Sequence, residues 1–156
     1  MYNYYHCNFN SLKLINGNWK VTRVKVNPFS SLHAFLWTLL TFSPLPFSKS
    51  LYDYSIVEDG KIICSARVAH KNFFFPFMPS KGLHIGPCLT VPECRGKGLY
   101  PYILTKIISD FYNSNFYMIV DTSNQSSIKG LSKVGFKIFA KGHKTIFNRY
   151  VIDKYI

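Results

Sequence analysis

The segment that most constrains the fold is a buried strand followed, after a short loop, by a helix. Residues 83–91 form an apolar run, broken at Gly86-Pro87, and Pro92 then ends it because proline donates no N–H to a ladder. Residues 99–111 carry apolar side chains three and four positions apart, the spacing of a helix. A strand and a helix joined this closely favour a sheet with helices packed on it.

The loop between them reads Arg95-Gly96-Lys97-Gly98. Glycines let backbone N–H groups approach a ligand closely, and Arg95 and Lys97 add positive charge. The first turn of a helix also has N–H groups without internal partners, at the positive end of its dipole. The pattern therefore predicts a phosphate site, with an ordinary basic turn as the alternative reading. It matches neither the Walker loop nor the dinucleotide-binding fingerprint.

The remaining patterns predict a mixed sheet, that is, an α/β (α+β) fold. Asp59-Gly60 predicts a tight hairpin, and Gly135 ends a helix in the left-handed position. Residues 71–81 contain two prolines and four phenylalanines, which predicts an irregular loop that plugs the core or forms an apolar wall for an acceptor. Strands are expected at 19–26, 52–57, 61–69, 83–91, 116–120, 136–140 and 145–152, and helices at 30–41 (capped by Ser30 or Ser31), 99–111 and 124–134.

Amino-acid composition limits which classes of partner this chain can bind. The 156 residues are enough for a single domain, residues 1–156, and the net charge of +12 favours anionic partners: nucleic acid, acidic membrane or a phosphorylated small molecule. The cationic residues are scattered rather than clustered, which argues against nucleic acid as the partner. Four cysteines without C-x-x-C spacing predict no metal site and a reduced, cytoplasmic chain. No signal peptide is apparent, and the apolar run 34–42 is about half of what a bilayer span needs, so we expect a core helix and no membrane span.

Two segments resemble motifs of the GNAT superfamily of acetyl-CoA-dependent acetyltransferases. Its pyrophosphate loop reads [Q/R]-x-x-G-x-[G/A]; Arg95 and Gly98 match, whereas Tyr100 departs from the pattern. The segment from Asn124 to Phe136 is similar to the downstream N-x-x-A-…-Y-E-K-x-G-F motif of that superfamily. The resemblance covers residues 52–140, leaves residues 1–18 unmatched, and implies a mostly antiparallel central sheet with acetyl-CoA as acyl donor.

The resemblance also implies a cofactor site. Backbone N–H groups from Gly96 to Tyr100 would hold the pyrophosphate, and a splayed strand end at 89–91 would pair with the pantetheine arm. One strand N–H would polarise the thioester carbonyl. Asn124 would touch the pantetheine, cap its helix, or do both. The implied cofactor-binding residues are Leu89, Thr90, Val91, Arg95, Gly96, Lys97, Gly98, Leu99, Tyr100 and Asn124.

Proton transfer is less determined. The superfamily's usual tyrosine acid corresponds here to Leu131, so Tyr100 or Tyr102 would serve, or CoA would leave as a thiolate. His84 and Asp121 are the candidate bases. His84 could equally be a structural histidine, and Asp121 a turn residue before a helix cap. Cys88 is interpreted as a small buried hydrophobe rather than a nucleophile.

The acceptor is the least constrained partner. With 7 acidic residues and many aromatic ones, the chain fits a sugar acceptor, in particular a nucleotide-linked amino sugar, better than a polyamine. The run around Cys88 and Cys94 also resembles small GNAT proteins associated with surface-polysaccharide synthesis. Alternatives are a protein or peptide amine as acceptor, and a non-enzymatic basic module that binds nucleic acid. A homodimer is possible.

Overall fold

The computed structural model describes residues 1–27 and 51–156. Among these residues, eight strands form a single sheet in the order β2-β3-β4-β5-β6-β1-β7-β8, and only β5 and β6 run parallel. The expectation of a mixed, mostly antiparallel sheet is confirmed. The strands are β1 Tyr2–Asn8, β2 Val21–Lys25, β3 Tyr52–Glu58, β4 Lys61–His70, β5 Gly82–Thr90, β6 Asn115–Asp121, β7 Lys137–Lys144 and β8 Tyr150–Tyr155.

Two α-helices of the described region pack with the sheet around one core. Helix α1 spans Leu99–Asp110 and helix α2 spans Gln125–Val134, close to the predicted bounds. Their buried residues, among them Ile103 and Leu131, belong to the same apolar cluster as the inner residues of the strands. Gly135 ends α2 at φ 103°, as predicted. The helix expected at residues 30–41 lies outside the described residues.

The sequence patterns missed strand β1, within the segment matched to no motif. β1 lies between β6 and β7 and pairs with β6 along its whole length. Tyr4 and Tyr5 are both buried although they point to opposite faces of the sheet. A strand covered on both faces shows no alternation of polar and apolar residues, which is why β1 carries no period-two signal.

Two further predictions are corrected. Gly86-Pro87 does not break β5, which is continuous from Gly82 to Thr90. The pairing register between β4 and β5 shifts between Ala66 and Val68, opposite these two residues. Proline donates no N–H, and here that missing donor falls at an irregularity of the ladder. The last strand begins at Tyr150, because residues 145–149 form a turn with Asn148 at φ 58°. The Asp59-Gly60 hairpin is confirmed, with both residues at positive φ.

Candidate cofactor and acceptor site

Strands β5 and β6 pair at their beginnings and then part. The pairs are Gly82 with Asn115, Leu83 with Phe116 and His84 with Tyr117. Beyond His84, β5 continues to Thr90 on the side of β4, and β6 continues to Asp121 on the side of β1. The predicted splay is therefore confirmed, and it begins at His84. It leaves a wedge whose walls are the facing backbone edges of two strands.

Two cavities open along this wedge. The first has a volume of about 460 Å³ and extends from His84 and β6 to the β7–β8 turn. The second has a volume of about 480 Å³ and extends from β5 to the Arg95–Gly98 loop and α2. Volumes of this size are typical of small-molecule sites. Both cavities share four lining residues: Cys88, Tyr100, Asn124 and Ser127. The two cavities thus meet, and together they form one site with two ends.

The glycine loop provides an open floor at the far end of the second cavity. Gly96 and Gly98 adopt φ 81° and 84°, and a Cβ built on either would meet no atom within 4 Å. Among the described residues, the backbone N–H groups from Gly96 to Tyr100 have no hydrogen-bond acceptor. The N–H of Tyr102 already donates to the carbonyl of Gly98 at 3.1 Å. Free donors, left-handed glycines and empty space are what a phosphate-binding loop requires.

Cationic side chains surround this cavity, although not all of those predicted. Arg95 lines it while its Nε donates to the carbonyl of Thr90 at 3.2 Å, which ties the loop to the end of β5. Lys97 does not line it, and its Nζ lies 3.9 Å from Cys94 Sγ. Lys129 and Lys133 of α2 do line it. Sequence patterns missed these two lysines because only the packing of α2 brings them opposite the loop.

Val91 requires a correction. Its N–H donates to the carbonyl of Ile63 at 3.0 Å, so that group is not available to a pantetheine arm. Val91 also does not line either cavity and packs against the core. Three other residues predicted to bind the cofactor, Leu89, Thr90 and Leu99, do line the second cavity.

Tyr100 occupies the junction of the two cavities. Burial, and next the nearby Cys88, raise the pKa of its phenol well above 10, so the hydroxyl keeps its proton at neutral pH. Leu131, at the position of the superfamily's usual tyrosine, is fully buried and lines neither cavity. Tyr100 therefore brings a protonated phenol to the residues that line both cavities, next to the Ser127 hydroxyl group.

Cys88 lies beside Tyr100 and lines both cavities. Burial raises the pKa of its thiol to about 12, with a further contribution from Cys64. A thiol that stays protonated is a poor nucleophile. This environment matches the interpretation of Cys88 as a small apolar side chain.

His84 is poorly suited to act as a base. It is 6% exposed, its ring stacks on Phe75 with centroids 3.8 Å apart, and burial lowers its pKa to about 3. Its Nδ1 is buried and has no partner among the described residues. A general base works best with a pKa near the working pH, so an imidazole this acidic accepts protons weakly. His84 lines the first cavity as a neutral ring.

Asp121 is also a weak base, although it lines the first cavity. Its Oδ1 accepts hydrogen bonds from the Ser123 hydroxyl at 2.6 Å and from the Ser123 N–H at 2.9 Å. These bonds lower its pKa below the usual value. Asn124 caps α2, with its Oδ1 accepting from the Ser127 N–H at 3.1 Å, and it also lines both cavities. The turn and capping interpretations of the two residues hold.

Aromatic side chains from two distant segments wall the first cavity. Tyr150 stacks on Phe75 with centroids 5.7 Å apart, and Phe75 stacks in turn on His84. The Tyr150 N–H donates to the Phe74 carbonyl at 2.9 Å, which joins the Phe-rich loop to β8. The loop thus lines the first cavity with Phe74 and Phe75 while Phe75 and Met78 are also buried, and a wall for an acceptor stays a prediction. The first cavity is also lined by Lys144, Asn148 and Tyr150. No sequence motif identifies these three residues, because strand pairing alone brings them to the cavity.

Solved structures share this fold. An acetyltransferase of the GNAT family from Colwellia psychrerythraea has a TM-score of 0.56 at 14% identity, over 88% of this chain and 52% of its own. A Drosophila protein has a TM-score of 0.52 at 12% identity, over 88% of this chain and 47% of its own. A structure described as a GNAT-family acetyltransferase, from Novosphingobium aromaticivorans, has a TM-score of 0.50 at 14% identity, over 88% of this chain and 61% of its own.

The chain thus spans about half the length of the first two of these structures. No family model matches the sequence, and no curated protein matches it. The comparisons show that the chain has the mixed α/β fold of GNAT-like structures. Within the described residues, no helix combines the length and the apolar character needed to cross a bilayer.

Proposed function

We propose that this chain transfers an acetyl group from acetyl-CoA to an amine, or less favourably a hydroxyl, of a small molecule. The observation that carries the proposal is the wedge between β5 and β6, with an open glycine loop at one end and a second cavity at the other. A donor with a charged phosphate end and a slender reactive arm fits such a site. The fold of the compared acetyltransferase structures supports the same choice.

In this proposal the pyrophosphate lies on the loop. Backbone N–H groups from Gly96 to Tyr100 bind its oxygens, and Arg95, Lys129 and Lys133 supply positive charge. The pantetheine arm runs along the edge of β5 that faces the wedge and uses the N–H of Thr90, because hydrogen-bonded pairs alternate along an antiparallel ladder and Leu89, like Val91, turns its backbone groups to β4. Asn124 contacts the arm from the start of α2. The thioester then lies where the two cavities join.

The acyl group moves by direct attack. The neutral acceptor nitrogen adds to the thioester carbonyl, the carbon–sulfur bond breaks, and the sulfur leaves as a thiolate. The nitrogen of the new amide then gives its surplus proton to water or to that thiolate. Tyr100 donates a hydrogen bond to the developing negative charge on sulfur; its raised pKa makes it a hydrogen-bond donor rather than a strong acid. The acceptor must be deprotonated before it attacks. Because His84 and Asp121 both have lowered pKa values, we assign that proton to water rather than to either side chain.

The acceptor proposed is an amino sugar, in particular a nucleotide-linked one. Stacked aromatic rings in the first cavity suit the faces of a sugar or a base, and Lys144 at its edge suits a phosphate. Among the described residues, Asp121 is the one carboxylate that lines this cavity, which disfavours a polyamine. A role in surface-polysaccharide synthesis, a cytoplasmic location and a homodimer stay predictions.

The first test is a thermal melt with acetyl-CoA and, separately, with polyphosphate at the same charge concentration. A ligand at one hundred times its Kd adds about 2.7 kcal/mol to the free energy of unfolding, a rise of several degrees for a domain of this size. We expect the rise with acetyl-CoA alone. An equal rise with polyphosphate, or none with either, contradicts the proposal.

Two alternatives are separated by further measurements. Release of CoA with a panel of amino sugars, and not with peptides, distinguishes the small-molecule acceptor from a protein or peptide amine. Nucleic-acid binding driven by the net charge of +12 would weaken steeply with salt, whereas acetyl-CoA held by backbone N–H groups weakens less. Salt titration of each binding reaction therefore tests the non-enzymatic alternative.

A further inference from the structure

The turn between β7 and β8 exposes two apolar side chains in succession. Ile146 is 91% exposed and Phe147 is 69% exposed. The turn is ordered by hydrogen bonds: the Thr145 N–H donates to the Arg149 carbonyl at 2.8 Å, and the Asn148 N–H donates to the Thr145 carbonyl at 2.9 Å. Two large apolar side chains held in solvent at a closed turn contribute nothing to the core.

Cations flank these two side chains. Lys144 precedes the turn, with its Nζ 5.5 Å from the centre of the Tyr150 ring. Arg149 ends the turn, with its Cζ 4.8 Å from the centre of the Phe73 ring in the neighbouring loop. Neither residues 144–152 nor residues 71–82 contain Asp or Glu. We call residues 144–149, together with Phe73, the tip surface; it is apolar at its end and cationic around it.

We propose that the tip surface docks onto an anionic lipid bilayer, with Ile146 and Phe147 entering the interface. Peripheral membrane segments combine exposed apolar side chains with lysine and arginine, which attract acidic headgroups. The net charge of +12 acts in the same direction. Lys144 and Asn148 also line the first cavity, so docking brings the mouth of that cavity to the lipid surface.

The alternative anionic partner, nucleic acid, fits the tip surface less well. Proteins that bind single strands stack bases on aromatic rings, and Ile146, the most exposed apolar residue of the tip, has no π face. An aliphatic side chain gains more from entering hydrocarbon than from contact with a polyanion. The pairing of an apolar tip, whose most exposed residue is aliphatic, with cations therefore favours lipid.

A second hairpin of the same protein provides a matched control. At the β3–β4 turn, Val57 and Ile62 are 45% and 57% exposed, but the residues between them carry two carboxylates, Glu58 and Asp59, against one cation, Lys61. An acidic turn is repelled by an anionic surface. The variant V57S/I62S removes as many exposed apolar side chains as I146S/F147S, at a position where no docking is expected.

The test is co-sedimentation of the full chain with vesicles of phosphatidylcholine alone, or with about one third phosphatidylglycerol, an anionic fraction that attracts basic segments. We expect binding to the mixed vesicles, weakened at least about tenfold in I146S/F147S, since losing two interfacial side chains removes that much affinity. The V57S/I62S variant should bind within about twofold of the wild type. No binding to mixed vesicles, or equal binding by wild type and I146S/F147S, overturns the proposal.

A second measurement distinguishes insertion from adsorption by charge. In the variant F147W, lipids brominated along their chains should quench the new tryptophan if the tip enters the interface. Vesicle binding without quenching overturns the insertion. Binding of a single-stranded oligonucleotide that requires Ile146 and Phe147, with no vesicle binding, assigns the tip surface to nucleic acid instead. These results do not depend on acetyl transfer, which the melts with acetyl-CoA test separately.

Discussion

The ring of Tyr100 lies directly over the backbone of Gly130. A Cβ built on Gly130 would come within 2.6 Å of Tyr100 Cδ1 and 2.7 Å of Cε1, closer than such atoms approach in proteins. The helix that carries Asn124 and Lys129 therefore fixes the position of the phenol at the junction of the two cavities. A residue of α1 thus packs directly on the backbone of α2.

The first prediction concerns this contact. Gly130→Ala should displace the Tyr100 ring and lower kcat about tenfold, the equivalent of a modest hydrogen-bond loss, while acetyl-CoA binding by calorimetry persists. A double-mutant cycle with Tyr100→Phe checks the cause. If displacement of the hydroxyl is what matters, Gly130→Ala costs little in the Tyr100→Phe background. Additive effects of the two substitutions would contradict this.

The second prediction isolates the hydroxyl of Tyr100. Tyr100→Phe keeps the ring that packs on Gly130 and removes the proposed donor to the leaving sulfur. We expect kcat to fall about 10- to 100-fold, as for a hydrogen bond to a charged group, with an unchanged Kd for acetyl-CoA. Tyr102→Phe is the control. Tyr102 lines neither cavity, and its hydroxyl donates to the Trp19 carbonyl at 3.1 Å. Equal losses of kcat in both variants would remove Tyr100 from the mechanism.

The third prediction tests the glycine loop. Gly98→Trp fills the open space over the loop, and we expect it to abolish acetyl-CoA binding measured by calorimetry. The positive φ of 84° adds strain of about 1–2 kcal/mol for any side chain. Gly60→Trp is the matched control, because Gly60 has φ 74° and equally open surroundings at the β3–β4 turn. Unchanged affinity in Gly98→Trp would show that the phosphate binds elsewhere.

The fourth prediction concerns pH. Because burial lowers the pKa of His84 to about 3, the unfolded state binds a proton that the folded state does not as pH falls below about 6.5. Stability is therefore complete above pH 6.5 and decreases below it, by about 2 kcal/mol at pH 5. Urea titrations should show that His84→Gln removes this slope, whereas His6→Gln, at the solvent-facing contact with Asn115, retains it. A slope that survives in His84→Gln would assign it to other groups.

Much of the fold follows from local sequence. The apolar spacing of residues 99–111 predicted the first helix, because one face of it is buried in the core. The second helix, 124–134, was predicted from its end signals, Asn124 and Gly135. The Asp59-Gly60 turn and the Gly135 cap follow from backbone preferences of single residues. Arg95, Gly96 and Gly98 could be identified because a loop between a strand and a helix carries its chemistry in consecutive residues.

Tertiary structure decided the rest. β1 carries no alternating pattern, since it is buried on both faces, and its place between β6 and β7 depends on partners more than one hundred residues away. Lys129 and Lys133 lie opposite the glycine loop because α2 packs there. Phe75 and Tyr150 form one wall because two distant segments of the chain pair. The low pKa of His84 and the high pKa of Tyr100 arise from burial. Burial depends on the whole fold, so the sequence alone determined the glycine loop between β5 and α1, and the tertiary structure determined which side chains meet where the two cavities join.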